Sequence, residues 1–330
     1  MSRPGPRDAR ALDSLRGSRT NPAVLTPRAP DLVAVTLFAL ALGGCSGEGA
    51  GTAQVFIEPE DTITHGLHAG AENENIHDGW SVTYTRFLIV VGPVRASRSD
   101  TMEKITDTGV HVLDLLRAPA SGYVVAELPD LGAARWDRFG FDLPNAAKGA
   151  VPLAPTTEAD AARMIENNYS IYFEGEMTNP TPPACPPGKM CCKAGTPISF
   201  RWGFSAGTSF DDCSSADGIA GFAVPSGGTI PVKPTIHGDH WFFSNFTSGV
   251  ELTERRAQYI ADADANGDCE TTLSELRAYE AADAFPIPAY NLSGAIGGPI
   301  HSAHDYVLAE TRTLGHFQGD GECPTRAVLP

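Results

Sequence analysis

The chain of 330 residues carries 24 basic and 40 acidic side chains, which give a formal net charge of −16 at pH 7. A surface this acidic repels nucleic acid and anionic lipid head groups and favours cations, so nucleic-acid binding is excluded as a function. The length suits one large β domain or two small domains.

The first 44 residues have the pattern of an export signal. Six arginines and an apolar run at 32–42 precede Leu-Gly-Gly-Cys at 42–45. The run is shorter than the roughly 20 residues that a membrane-spanning helix needs. The Leu-Gly-Gly-Cys motif resembles the lipobox of bacterial lipoproteins, which implies cleavage after residue 44, lipidation of Cys45 and a flexible tether at 45–52. The alternative is an uncleaved apolar segment with an incidental cysteine.

Six further cysteines agree with export. They are Cys185, Cys191, Cys192, Cys213, Cys269 and Cys323. An even number outside the cytoplasm predicts three disulfides. Four of the six crowd between 185 and 213, so we expect two bridges there and one from Cys269 to Cys323. The alternative is a zinc site, although the spacing matches no zinc ribbon.

Most of the chain before residue 250 has the pattern of β-strands. The strand-like segments are short, rich in β-branched and aromatic residues, and bounded by turn formers. They are 53–59, 79–94, 109–116, 122–128, 135–143, 169–177, 197–205 and 229–246. Helical periodicity is scarce here, apart from 156–168, where Thr157 and Asp160 are spaced as a capping box. The sequence therefore predicts a mainly β fold, with an antiparallel β-sandwich domain at 53–246 whose loops carry function.

The pattern changes after residue 250. Helical patterns on both sides of an acidic segment predict an EF-hand-like helix-loop-helix at 247–285. A C-terminal tail at 286–330 contains one short predicted helix, which we expect to pack on the sandwich. Ser302 and Asp305 are spaced as the capping box of that helix.

The acidic segment DADANGDCETTLSEL at 262–276 resembles EF-hand and dockerin-type calcium loops. Counting from Asp262 places oxygen ligands at positions 1, 3 and 5 and Gly267 at position 6, but Leu273 at position 12. Counting back from Glu275 fits only the second half. We therefore interpret the segment as two halves of a calcium loop, separated by an insertion around Cys269.

The resemblance implies a calcium site with five ligands, which are Asp262, Asp264, Asn266, Asp268 and Glu275. The alternative is an acidic turn between two capped helices. In that alternative Glu275 only forms a capping box with Thr272.

Histidine clusters in IHGDHW at 236–241 predict a second metal site. In an extended strand, His237 and Asp239 point to one side and His240 to the other. Two imidazoles with a carboxylate are half of a site for zinc, iron or copper. Four other histidines are candidates to complete it, namely His65, His68, His77 and His316. For His301 and His304 we expect instead that both flank the start of the C-terminal helix.

No catalytic residue is assigned. The segment GFSAG at 203–207 matches a nucleophile elbow in letters, but turn formers follow it where a helix is needed. The order of lipobox, long strand at 78–92 and later strands resembles periplasmic β-sandwich lipoproteins and periplasmic copper carriers with a four-cysteine pattern. This resemblance implies a binding protein that displays metal sites at a membrane surface.

We therefore expect an exported metal-binding protein, lipid-anchored to a bacterial membrane at the periplasmic face or cell surface, such as the outer membrane. Its predicted cofactors are calcium in the loop and a transition metal (zinc, copper or iron) at the histidine cluster, without catalysis. The membrane is contacted through the lipid anchor only. The alternatives are a metal-dependent hydrolase or oxidoreductase that uses His237, Asp239 and His240, and a purely structural surface module.

Overall fold

The computed structural model describes residues 49–185, 189–246, 253–287 and 289–328. These residues fall within one compact unit, Gly47–Pro330. Cys45 and the predicted signal segment lie outside the described residues. Among the helices of the described ranges, none has the length and apolar character needed to span a membrane.

Eighteen β-strands form within the described residues. In chain order they are β1 (Gly51–Pro59), β2 (Ser81–Val91), β3 (Val94–Ser97), β4 (Lys104–Asp107), β5 (His111–Asp114), β6 (Tyr123–Leu131), β7 (Arg135–Trp136), β8 (Arg138–Leu143), β9 (Val151–Pro152), β10 (Ile171–Thr178), β11 (Ile198–Phe204), β12 (Thr208–Phe210), β13 (Phe222–Ala223), β14 (Thr229–Val232), β15 (Pro234–Ile236), β16 (Glu270–Thr271), β17 (Gly315–Phe317) and β18 (Thr325–Ala327).

Helices are fewer than the strands in the same ranges. The α-helices are α1 (Asp61–Thr64), α2 (Glu158–Glu166), α3 (Gln258–Ala263), α4 (Leu273–Ala278), α5 (Ala281–Ala284) and α6 (Ala303–Glu310), and 3-10 turns span Leu115–Arg117 and His240–Phe242. The prediction of a mainly β fold is confirmed.

The strands form four sheets, and several pairings are parallel. The largest sheet has the order β16-β11-β10-β2-β5-β9, and a second has the order β18-β12-β8-β3-β4. A third has the order β14-β1-β15-β17 with β6 also on β1, and β7 pairs with β13. Strand β1 runs parallel to β14 and β15, as do β5 to β9 and β11 to β16. Two of the four sheets are therefore mixed, whereas the β18-β12-β8-β3-β4 sheet and the β7-β13 pair are antiparallel throughout, so the predicted antiparallel pairing holds only in part.

The core is aromatic where it approaches the histidine cluster. The Trp241 side chain is fully buried and stacks on Phe173, with ring centroids 4.3 Å apart and planes within 7°. Its Nε1 donates to the Tyr84 hydroxyl at 2.8 Å, and that hydroxyl donates to the Gly238 carbonyl at 2.5 Å. Burying a side chain of this size contributes about 3 kcal/mol. The core therefore fixes the backbone on both sides of His240.

Side-chain caps define the helix starts that the sequence predicted. A reciprocal capping box joins Thr157 to Asp160 at α2, and a second joins Thr272 to Glu275 at α4. The hydroxyl of Ser302 caps α6 by accepting the Asp305 N–H. The first two capping boxes are confirmed, whereas the box predicted at α6 is only half present, because the Asp305 carboxylate accepts the His301 N–H instead of the Ser302 N–H. The C-terminal tail supplies two strands to the sheets in addition to helix α6, because β17 pairs with β15 and β18 pairs with β12.

Three disulfides are present, as predicted, but two expected pairings are wrong. The bridges are Cys185–Cys191, Cys192–Cys269 and Cys213–Cys323. Only one bridge closes within 185–213, and Cys269 does not reach Cys323. The short strand β16, which follows Cys269, pairs with β11. The Cys192–Cys269 disulfide links the acidic loop to the segment that precedes β11.

Candidate metal centre

Strand pairing brings His237 and His316 together. Strands β15 and β17 are antiparallel, with Thr235 opposite His316, and the ladder continues as the His237 N–H donates to the Leu314 carbonyl at 3.0 Å. Residues two apart on a strand share a face, so His237 is the diagonal neighbour of His316. Their ring centroids lie 4.1 Å apart.

His240 joins this pair because the chain stops being a strand. Strand β15 ends before His237, and a 3-10 turn begins at His240. Gly238 allows the bend to approach α1 closely, since a Cβ there would lie 2.6 Å from Ile63. The prediction that His237 and His240 point to opposite sides of an extended strand is therefore wrong. The turn brings the His240 side chain to the same side as that of His237.

Each of these two rings has one nitrogen held by a neighbour and the other directed elsewhere. The His240 Nδ1 lies 2.7 Å from Thr313 Oγ1, whose hydroxyl donates to the Glu310 carbonyl at 2.8 Å, so the ring N–H donates to Thr313. The His237 Nδ1 lies 3.2 Å from Glu60 Oε2. With Nδ1 protonated in both rings, the Nε2 atom of each ring is left as the acceptor nitrogen. This is how metal-binding histidines are usually oriented.

The third ring completes a group of three. One ring nitrogen from each of His237, His240 and His316 lies within 4.8 Å of the others. The Nε2 atoms of His240 and His316 are 3.2 Å apart. Two nitrogens that bind one ion tetrahedrally at about 2.0–2.1 Å lie about 3.3 Å from each other. The spacing of this pair therefore fits one shared ion.

Two carboxylates lie beside the histidines. Glu60, His237 and Asp239 form a second group whose ligand atoms lie within 4.8 Å of one another. Asp239 is fully buried, and its Oδ2 accepts the Arg255 Nε–H at 2.7 Å. Among the described residues, Asp239 Oδ1 and His237 Nε2 are buried without a hydrogen-bond partner. Buried unpaired polar atoms are costly, so an ion here would stabilise both.

Burial keeps the rings in the form that binds metals. It holds the pKa of His240 well below its usual value, with the nearby His316 and His237 adding to the effect. Burial also lowers the pKa of His316 to about 3. Both rings are therefore neutral at physiological pH, as a metal ligand must be. Burial raises the pKa of Glu60, and the neighbouring Asp239 carboxylate raises it further.

A cavity of about 390 Å³ adjoins the cluster, and both His240 and His316 line it. Glu310, at the end of α6, is another lining residue and is 1% exposed. Burial raises the pKa of Glu310 well above its usual value, and Asp239 adds to this. A titratable group with a shifted pKa next to a cavity is typical of a functional site.

The other histidines that the sequence offered lie outside both groups. His65 is exposed and pairs with Asp61 at 3.2 Å, and His68 is also exposed. The His77 Nε2 lies 3.0 Å from the Glu72 carbonyl oxygen. Of the four candidates to complete the cluster, the structure brings only His316 to it. Sequence reasoning missed Glu60, Thr313 and Arg255, which no motif marks.

In the acidic loop, the oxygens serve mainly as acceptors for the loop's own backbone. Asp264 accepts the Gly267 and Cys269 N–H groups at 2.8 and 3.0 Å, and Glu275 accepts the Ala265 N–H at 3.0 Å. Asp262 accepts from Gln258, Asn266 from the Asp268 N–H, and Asp268 from the Glu270 N–H. No three carboxylates of this loop are among the described groups whose ligand atoms lie within 4.8 Å.

No protein-family model, curated protein or solved structure matches the chain.

Proposed function

We propose that the protein binds one divalent transition-metal ion through His237, His240 and His316. The observation that carries this proposal is that three ring nitrogens converge within 4.8 Å while neighbours hold two of the rings by Nδ1. Imidazole nitrogen is a preferred ligand of zinc, copper, iron and nickel, whereas calcium and magnesium take oxygen. The site therefore suits a first-row transition metal.

The charges around the rings support a cation there. Asp239 and Glu60 supply carboxylates, and Arg255 supplies one positive charge that Asp239 already binds. A histidine binds a metal as the neutral ring, so imidazole ligands bring no charge to the site. A divalent ion thus meets two acidic side chains in a buried place, where electrostatic interactions are stronger than in water. Asp239 Oδ1, which has no hydrogen-bond partner among the described residues and lies 4.0 Å from His240 Nε2, is a candidate for a fourth ligand.

The test is metal analysis of protein purified without chelator, with two alanine variants compared. His240→Ala removes one of the three rings, and His301→Ala removes an exposed histidine outside the cluster. We expect about one transition-metal ion per chain in the parent and in His301→Ala, and a large loss in His240→Ala. Equal metal content in all three proteins would refute the proposal. Circular dichroism checks that the variants fold.

A second candidate function is a metal-dependent enzyme, hydrolase or oxidoreductase. The cavity of about 390 Å³ favours it, because two of the rings line that cavity beside Glu310. Catalytic metal sites keep a position open for water or substrate, whereas structural sites are closed. X-ray absorption spectroscopy on the metal-loaded protein distinguishes the two, since an enzyme requires an exchangeable oxygen ligand in addition to the protein ligands.

Export and lipid anchoring at Cys45 stay predictions. Export is supported by the three disulfides, which are typical of proteins outside the cytoplasm. The sandwich arrangement also stays a prediction. So does calcium in the 262–275 loop, which is supported by the flanking helices α3 and α4. A calcium-dependent rise in melting temperature, absent in Asp264→Ala, would support the calcium site, and no rise would refute it.

A further inference from the structure

Arg255 binds the Asp239 carboxylate through one oxygen only. The Arg255 Nε–H donates to Oδ2 at 2.7 Å, and the Nη2–H donates to the same oxygen. A guanidinium and a carboxylate commonly pair through two parallel bonds, one on each oxygen. Here Oδ1 is instead buried without a hydrogen-bond partner among the described residues. The pairing therefore occupies one carboxylate oxygen and leaves the other for a ligand.

The oxygen that is left over is the one beside the histidines. Asp239 Oδ1 lies 4.0 Å from His240 Nε2, and Asp239 also belongs to the group with His237 and Glu60 whose ligand atoms lie within 4.8 Å. Two ligand atoms of one tetrahedral ion lie about 3.3 Å apart, so a movement of under about 1 Å brings Oδ1 to that distance from His240 Nε2. Oδ1 can join the ion while Oδ2 stays on the guanidinium.

Contacts on several sides hold Arg255 in this position. Its Nη1–H donates to the Asn73 carbonyl, and its guanidinium carbon lies 5.2 Å from the centroid of the Phe243 ring. Its backbone forms β-bridges with Ile76 and Phe243. The Phe243 ring also packs against the His240 ring, with centroids 4.5 Å apart. The Arg255 side chain is only 13% exposed, so it has little room to swing away and release the carboxylate oxygen.

A carboxylate that offers one oxygen suits some ions better than others. Zinc prefers four ligands in a tetrahedral arrangement, which three imidazoles and one oxygen supply. Manganese and calcium prefer six or more ligands, mostly oxygens, and gain from a carboxylate that binds through both oxygens. By occupying Oδ2, Arg255 denies the ion that extra oxygen.

We propose that Arg255 determines the metal selectivity of the histidine site, because it restricts Asp239 to one ligand oxygen and so favours zinc over manganese. Arg255 acts through Asp239 and does not touch the ion, so it is a positioning residue. This inference rests on the proposed function, since it concerns the choice of ion at the same three histidines.

The experiment measures the dissociation constants of Zn²⁺ and Mn²⁺ for the full chain, by competition with a chelating dye and by electron paramagnetic resonance. The readout is the ratio of the two constants, because loss of the guanidinium charge affects two divalent ions alike. The proteins are the parent, Arg255→Met, Asp239→Asn and the double variant. Arg86→Met is the matched control, because Arg86 also pairs with a buried carboxylate, that of Asp160, which belongs to neither group of candidate ligands.

We expect the preference for zinc over manganese to fall roughly tenfold in Arg255→Met, an effect typical of residues that orient a metal ligand. The ratio should be unchanged in Arg86→Met. In the Asp239→Asn background, Arg255→Met should not change the ratio further, because the amide has no second oxygen to release. The double variant leaves no buried charge alone, so its fold should be retained. An unchanged ratio in Arg255→Met, or an equal fall in the Asp239→Asn background, would overturn the inference.

A second measurement uses only the parent and therefore does not depend on how the variants fold. Loaded with Co²⁺, whose visible spectrum reports the number of its ligands, the parent should show the intense absorption of a four-coordinate ion. The weak absorption of a six-coordinate ion would overturn the inference. Failure of the parent to bind Zn²⁺ or Co²⁺ at all would instead refute the proposed function.

Discussion

Arg255 neutralises the buried Asp239 carboxylate beside the proposed metal site, so replacing Arg255 tests whether an ion binds there. The guanidinium of Arg255 and the carboxylate of Asp239 are 13% and 1% exposed, so water screens this ion pair little. Breaking a buried pair by removing one partner costs roughly 3–5 kcal/mol, because a charge is left buried alone. In the metal-free protein, Arg255→Met should therefore lower the free energy of unfolding by about that amount.

The ion should reverse part of this loss. A divalent ion near Asp239 replaces the missing positive charge, and the repulsion between the ion and the guanidinium is gone. We expect Arg255→Met to bind zinc at least about tenfold more tightly than the parent, which corresponds to about 1.4 kcal/mol. Stabilisation by zinc should be larger in the variant by the same amount.

Urea unfolding with EDTA and with excess zinc, for both proteins, measures the four free energies that are needed. Arg138→Met is a suitable control, because Arg138 pairs with Asp212 on the surface, where both side chains are more than half exposed. Equal stabilisation by zinc in Arg255→Met and in the parent would show that the charges of Asp239 and Arg255 do not interact with the ion. The electrostatic reasoning would then be wrong.

Three further predictions concern orientation, covalent links and pH. Thr313→Val removes the acceptor of the His240 Nδ1–H and should weaken metal binding roughly 10–100-fold by titration, whereas Thr311→Val, near the same helix end, should not. Alanine replacement of Cys192 and Cys269, which are 77 residues apart, should cost about 4.5 kcal/mol in urea unfolding, against about 2 kcal/mol for the Cys185–Cys191 pair with its separation of 6. Equal losses would contradict the chain-entropy argument. Burial raises the pKa of Asp211, but Arg95, Arg326 and Ser209 together lower it by more, so the folded-state pKa lies below the usual value. This stabilisation is full above about pH 4 and is lost as the pH falls below that, so Asp211→Asn should flatten the acid limb of the stability profile, and an unchanged limb would refute the assignment.

Much of the secondary structure could be predicted because it depends on local pattern. The segment 79–94 contains β2 and the start of β3, and 169–177 covers all of β10 except its last residue. The capping boxes at α2 and α4 are set by residues three positions apart and were therefore readable. The relative direction of two paired strands depends on residues far apart in the sequence. The parallel pairing of β1 with β15 therefore could not be predicted from the alternation of polar and apolar residues.

The candidate site was predictable only in part, for the same reason. His237, Asp239 and His240 lie within four residues and stood out as a cluster. His316 was one of four candidates, and only the pairing of β15 with β17 selects it. Glu60 follows β1, and its N–H donates to the Ile236 carbonyl at 3.0 Å, a contact between residues far apart in sequence. The predicted disulfide pairing was wrong for the same reason, because closeness of cysteines in the sequence did not determine which of them are close in the fold.

The central claim is that three histidines bind one ion, and anomalous diffraction from crystals of the metal-loaded protein tests it most directly. The account predicts a single strong peak within about 2.0–2.2 Å of nitrogen atoms of His237, His240 and His316. A peak at His65, His68 or His77, or the absence of any peak at the cluster in protein saturated with zinc, would contradict it.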